Sequence, residues 1–123
     1  IKVHAASLNP ADWKSADGEQ ALLFSFAWPR VYGFDFSGEV VQAGSDSTEY
    51  AVGDEVFGMI IGLPELGRGT CAEYVIVESK ICARKPTTTS HAHAASLPLV
   101  AITAVKMLRA CGLDEVSLCV HRS

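Results

Sequence analysis

Between Asn9 and Lys14 the chain reads Asn-Pro-Ala-Asp-Trp-Lys, which gathers an amide, a carboxylate, an indole and a cation into one short stretch. Asn9 fits an N-cap, Pro10 the first helical position, and Asp12 the acidic place in the first turn, so the stretch starts a helix. Lys14 then rides on that helix. It is either a solvated lysine or a fixed positive charge that steadies an oxyanion, a role worth most where water is scarce. Asp35 follows Gly33 and Phe34. A lone carboxylate in that setting is more often a hydrogen-bonded structural group than a general acid. Phe34 reads as a cleft-wall or core aromatic, and Trp13 and Trp28 as apolar surfaces for a substrate or for packing. Thr103, inside Leu97-Pro98-Leu99-Val100-Ala101-Ile102-Thr103-Ala104, either bonds back to the preceding helical turn or faces a ligand.

Metal chemistry has little support. Cys71, Cys82, Cys111 and Cys119 are scattered singly, with no C-x-x-C pair. They read as reduced thiols packed as small apolar groups, in keeping with a reducing intracellular compartment. His91 and His93 resemble an H-x-H pair, yet residues i and i+2 of a helix do not share a face, so both read as solvent-exposed. His4 and His121 have no partner that the sequence identifies. No G-x-G-x-x-G occurs anywhere, so the chain has no glycine-rich loop of that type to cradle a pyrophosphate.

The elements that must hold these residues can be read from pattern. At 123 residues the chain can bury one core, and 49% hydrophobic with 20% charged residues excludes a disordered tail. A formal charge of -4 gives no basic footprint for nucleic acid. The longest mostly apolar run, Leu97 to Val105, is far too short to span a bilayer. Short strands are predicted over Lys2–Ala6, Gly38–Ala43, Glu55–Ile61, Cys71–Glu78 and Lys80–Arg84, punctuated by turn residues at 44–47 and 52–54. Ser90 caps a short helix through Ala95, Pro98 interrupts it, and a second helix runs from Leu99 to Ala110 with Gly112 as its C′ residue. Val100, Thr103, Met107 and Ala110 trace one face of that helix. Val116–His121 reads as a further, largely buried strand. Regularly spaced short strands favour a β-barrel-like domain over a βαβ array.

Four blocks carry a resemblance to a known family: Asn9 to Lys14, Gly33-Phe34-Asp35-Phe36-Ser37-Gly38-Glu39-Val40, Val52-Gly53-Asp54-Glu55-Val56-Phe57-Gly58, and Gly69-Thr70-Cys71-Ala72-Glu73-Tyr74-Val75. In order and spacing they resemble the catalytic, GroES-like domain of the medium-chain dehydrogenase/reductase superfamily. The resemblance implies a mainly β fold, a GroES-like β-barrel catalytic domain with a C-terminal helix leading to a missing Rossmann domain. Residues 1–96 would be the catalytic domain, N-terminally incomplete, and residues 97–123 the linking helix and first strand of the absent dinucleotide-binding domain.

The zinc alcohol dehydrogenases of that superfamily have Cys where this chain has Asn9, and Gly-His-Glu where it has Gly33-Phe34-Asp35. Thiolate and neutral imidazole hold zinc, whereas an amide and a benzyl ring do not, so no metal is expected. The loop from Met59 to Arg68 also lacks the cluster of Cys that those enzymes often carry there. The chain thus looks like the zinc-free quinone or enone reductases, and the Asn-Pro-x-Asp-x-Lys pattern is that of the alkenal and enone reductases. The resemblance implies Lys14 as the catalytic residue, Asn9 and Thr103 beside the nicotinamide, and Trp13 and Phe34 against the substrate. NADPH is the implied cofactor, and hydride would pass to a quinone or α,β-unsaturated carbonyl. The alternatives are an enoyl-thioester reductase of fatty-acid or polyketide type, and a binding relative without turnover. The partners expected are the small-molecule substrate and a second copy in a homodimer, with neither nucleic acid nor membrane, in the cytoplasm.

Overall fold

The computed structural model describes residues 1–17, 29–45, 49–60 and 68–113. Among these residues four antiparallel strands form one sheet in chain order: β1 (Lys2–Ser7), β2 (Asp35–Glu39), β3 (Glu55–Met59) and β4 (Cys82–Arg84). The outer edge of β1 is met by the 73–75 segment, where Val3 N–H donates to Glu73 O at 2.9 Å and Val75 N–H to Ile1 O at 2.9 Å. Among the described residues the strand expected over Cys71–Glu78 contributes a single bridge, Lys2 to Tyr74. Lys80–Arg84 divides into a 3₁₀ turn, Ser79–Ile81, and the three-residue β4. Val116–His121 lies outside the described residues, as do Trp28, Cys119 and His121.

β2 is the informative correction. The pattern placed the strand at Gly38–Ala43, but it runs over Asp35–Glu39, with its first four residues all buried. Asp, Ser and Gly are poor strand formers, and a strand covered on both faces has no polar-apolar alternation to read. On one face Phe36 enters the core with Val40, Val56, Ile60 and Val75. The other face carries Asp35 and Ser37 toward the helices. There α2 (His91–Ala95) packs across β1, β2 and β3 through Ala94 and Ala95, each 1% exposed.

Helix ends follow local chemistry. Ser90 caps α2 by accepting from His93 N–H at 3.3 Å. Pro98 opens α3 (Pro98–Ala110) at its first position, where a missing N–H costs nothing, and so begins the helix instead of interrupting one. Gly112, at φ 78°, ends it: Gly112 N–H donates to Arg109 O and Leu113 N–H to Leu108 O, a complete Schellman closure. The face traced by Val100, Thr103, Met107 and Ala110 is exposed. No described helix is long and apolar enough to cross a membrane.

Two expectations about small groups are also corrected. Cys71, Cys82 and Cys111 are free thiols, but Cys71 and Cys111 are exposed and only Cys82 packs against the core. Burial pushes the Cys82 thiol up to about 11, so it stays protonated at neutral pH. His91 is half-buried, because α2 presses that face onto the sheet while His93 turns to solvent. The bulge in β1 between Val3 and Ala5 lets His4 stack on the His91 ring at 4.6 Å. His91 Nδ1 lies 2.8 Å from Ser37 Oγ and Nε2 lies 3.0 Å from Glu55 Oε1.

Candidate active site

Asn9 stands at the N-cap of α1 (Pro10–Ala16), with Pro10 at the first helical position, as its sequence requires. The Asn9–Asp12 pair has the capping-box arrangement. Its tighter half is Asp12 Oδ2, which accepts from Asn9 N–H at 2.8 Å, while Asp12 N–H is held by the Asn9 carbonyl at 2.9 Å. The other Asp12 oxygen accepts from Gly33 N–H at 2.8 Å and so joins α1 to the chain entering β2. Asp12 is therefore more than an acid favourable to a helix dipole.

The Asn9 side-chain amide points to Asp35. Its Nδ2 donates to Asp35 Oδ2 at 2.8 Å, and Ser7 Oγ donates to the same oxygen at 3.0 Å. Asp35 Oδ1 accepts from the backbone N–H of Leu99, in the first turn of α3, at 3.0 Å. Thr70 Oγ1 donates to the Asp35 carbonyl at 2.7 Å. Asp35 is 0% exposed, so its carboxylate is a closed structural hub. Asp35 is thus the hydrogen-bonded structural carboxylate that its setting suggests, with partners too distant in sequence to be read locally; the one local signal is an acid flanked by two phenylalanines, a setting that forces pairing.

Burial raises the Asp35 pKa above the usual 3.8; the Asn9, Ser7 and Leu99 donors oppose the rise and neighbouring Asp12 adds to it. The folded state therefore holds this proton more tightly than the unfolded chain. The stability Asp35 contributes is full below 3.8 and is lost as pH rises through its folded-state pKa. Asp54 and Glu55 run the other way: hydrogen bonds from Arg84 and Lys85 lower their pKa values, so their contributions are lost as pH falls. The difference in unfolding free energy between wild type and Asp35→Asn should thus favour wild type most at the acid end and decline toward neutrality. Urea titrations across that range check it; a difference that grows with pH would contradict the account.

The Gly33 corner is held by the 69–71 segment. Thr70 N–H donates to Gly33 O and Cys71 N–H to Tyr32 O, both at 2.9 Å. Gly69 is buried against this corner, and a Cβ there would overlap the Val31 and Tyr32 carbonyl oxygens. Gly69→Ala should cost about 1–3 kcal/mol, as backbone must shift to admit the methyl. Denaturant unfolding measures this, and an unchanged midpoint would remove the corner from the account.

Asn9 and the first turn of α3 are thus brought together by Asp35, and half-buried Phe34 adjoins them in sequence. Thr103 is exposed one turn beyond Leu99. Trp13 and Lys14 sit near the other end of α1. Trp13 is 52% exposed, and Lys14 is exposed with its Nζ 5.6 Å from the indole centroid. No hydrogen bond or ring contact joins them to the Asp35 hub among the described residues. A cavity of about 550 Å³, lined by Ile1, Val40, Tyr50, Val77 and Cys82 among others, contains none of these residues. No group of three or more His, Cys, Asp or Glu that could hold a metal occurs among the described residues.

Residues 1–87 match the model of the alcohol dehydrogenase GroES-like domain. The chain belongs to that family. Within it, the chain is 37% identical over 108 residues to the chloroplastic quinone-oxidoreductase homolog of Spinacia oleracea, covering 88% of this chain and 32% of that protein. It is 42% identical over 118 residues to the 2-methylene-furan-3-one reductase of Solanum lycopersicum, covering 94% of this chain and 30% of the relative. The solved quinone oxidoreductase from Coxiella burnetii superposes with a TM-score of 0.74 at 34% identity, over 94% of this chain and 37% of that one. The chain thus spans about a third of the length of the curated relatives it matches. It carries a GroES-like domain and belongs to the medium-chain dehydrogenase/reductase superfamily.

Proposed function

We propose that the protein carrying this chain is a zinc-independent oxidoreductase that uses NADPH to reduce a quinone or an α,β-unsaturated carbonyl. The observation that carries this reading is the donor set at the two family ligand positions. Asn9 is a neutral amide whose nitrogen already donates to Asp35, and Phe34 has no ligand atom, so neither suits a catalytic zinc. Names of relatives add support: two are quinone oxidoreductases or homologs of one, and the Solanum lycopersicum protein is named a reductase of 2-methylene-furan-3-one, a compound with a methylene group conjugated to a ketone.

A nicotinamide would take the amide of Asn9 and the hydroxyl of Thr103 as its polar partners, and Asp35, bonded to both Asn9 and the first turn of α3, supports that pairing. When bound, the reduced nicotinamide supplies a hydride equivalent. This chain supplies orientation and charge. Asn9 is held from two sides and can meet a polar group without a reorganisation cost. Phe34 and Trp13 give apolar surface that excludes water from the acceptor. Lys14 places an ammonium where negative charge develops on the substrate oxygen. A conjugated acceptor spreads that charge over several atoms, so it needs less polarisation than a simple ketone. That is the physical reason a site without zinc suits enones and quinones.

The test uses the full-length protein with NADPH and NADH, offered a quinone, an enone, a simple ketone and an enoyl thioester, with elemental analysis after chelation. Turnover of quinone or enone by metal-free protein, faster with NADPH, is the expected result. Turnover that requires zinc, or that is confined to the thioester or the ketone, would overturn the reading.

A further inference from the structure

We propose that Asp35 is the positioning residue of this site, holding the Asn9 amide and the first turn of α3 in one fixed relation. The proposal rests on the reading of Asn9 and Thr103 as cofactor-side residues.

The argument is one of donors and acceptors. A carboxylate only accepts, so the Asn9 amide must turn its nitrogen toward Asp35, as it does at 2.8 Å, and its orientation is thereby fixed. The N-terminus of α3 lacks a cap of its own. Leu97 occupies the N-cap in a helical conformation with no capping side-chain bond, and Pro98 has no N–H to offer. Leu99 therefore presents the first unsatisfied donor of the helix, and Asp35 accepts it from 64 residues away. The negative charge also complements the positive end of the helix dipole. Thr103 follows one helical turn later, roughly 6 Å along the axis. Being 0% exposed, Asp35 does not reach a substrate. Its influence passes through Asn9 on one side and α3 on the other, so the two cofactor-side groups share one anchor.

Asp35→Asn in the full-length protein is the direct test. The new amide would turn its NH₂ toward donors and keep only one good acceptor. At temperatures where circular dichroism shows the variant folded, the Asn9 side-chain amide protons and the Leu99 N–H should exchange with solvent at least about 10-fold faster by NMR. The dissociation constant for NADPH, followed by nicotinamide fluorescence, should rise roughly 10-fold or more. Faster exchange with affinity within twofold of wild type would overturn positioning, and unchanged exchange would overturn the coupling itself. If the variant does not fold, the exchanged pair Asn9→Asp with Asp35→Asn decides. It restores one donor and one acceptor between the two positions and leaves an oxygen for Leu99, so folding and Leu99 protection should return. Failure of that rescue would also sink the proposal. If wild type binds no NADPH while Asp35→Asn still releases both Asn9 and Leu99, the functional reading falls and the Asp35 anchor stands.

Discussion

Lys14→Met in the full-length protein should lower kcat for a reactive enone by about 10²-fold or more, as for the loss of one oxyanion donor. The KM for NADPH should change little. On the metal-free reduction proposed above, charge on the acceptor oxygen would have to be balanced by a side chain, and Lys14 on α1 is the candidate. Its ammonium stands over the Trp13 indole 5.6 Å from the ring centroid, exposed and not tied into the Asp35 hub. It is thus available to a bound acceptor, and the indole restrains the side chain through a cation–π contact. The methyl thioether keeps comparable length and removes the charge, so packing changes little. A raised KM for NADPH with kcat nearly unchanged would assign Lys14 to cofactor binding. Both parameters at wild-type values would return it to the solvated surface.

Phe36→Ala should be the most damaging single change to the fold. The ring is 0% exposed at the centre of the cluster formed with Val40, Val56, Ile60 and Val75, and Ile1, Val3 and Ile81 pack around that cluster. Truncating a buried phenylalanine costs about 3–5 kcal/mol, since the transfer free energy is lost and the cavity only partly collapses. Against a typical total stability of about 5–15 kcal/mol, that leaves little margin. Thermal unfolding should shift down by more than about 10 °C, given about 4–8 °C per kcal/mol in a small domain. Val41→Ala, at a position 40% exposed, should stay within about 0.5 kcal/mol and serves as the control. Equal effects of the two substitutions would remove Phe36 from the centre of the core.

What could be read in the sequence was local. Asn9-Pro10, Ser90 and Gly112 each act within a few residues, and each marks a helix end in the structure. The four family blocks also fixed the fold class, because their order along the chain is a property of the sequence itself. What escaped was tertiary. Asp35 meets Asn9 across 26 residues and Leu99 across 64, separations that no windowed pattern spans. The strand expected at Gly38–Ala43 falls C-terminal of β2, because burial on both faces removes the alternation that marks a half-buried strand. His91, expected at the solvent-exposed surface, packs instead against Ser37, Glu55 and His4, which nothing nearby in sequence announces. Long-range hydrogen bonding, more than hydrophobic pattern, accounts for the misplaced polar residues.

The short fourth strand bears on how the protein behaves when crowded. Among the described residues β4 is the terminal strand of the sheet and only three residues long, and the next residues are Lys85, whose ammonium is drawn down onto Glu55 at 3.1 Å, and Pro86, which has no N–H to give. A neighbouring molecule that tried to extend the sheet at this edge would find too few free donors and acceptors for a stable ladder. Length, a fixed lysine and a proline are the devices by which open sheets resist edge-to-edge aggregation. Here all of them lie within five consecutive residues, so this end of the sheet is poorly suited to seed a fibril or a domain-swapped polymer.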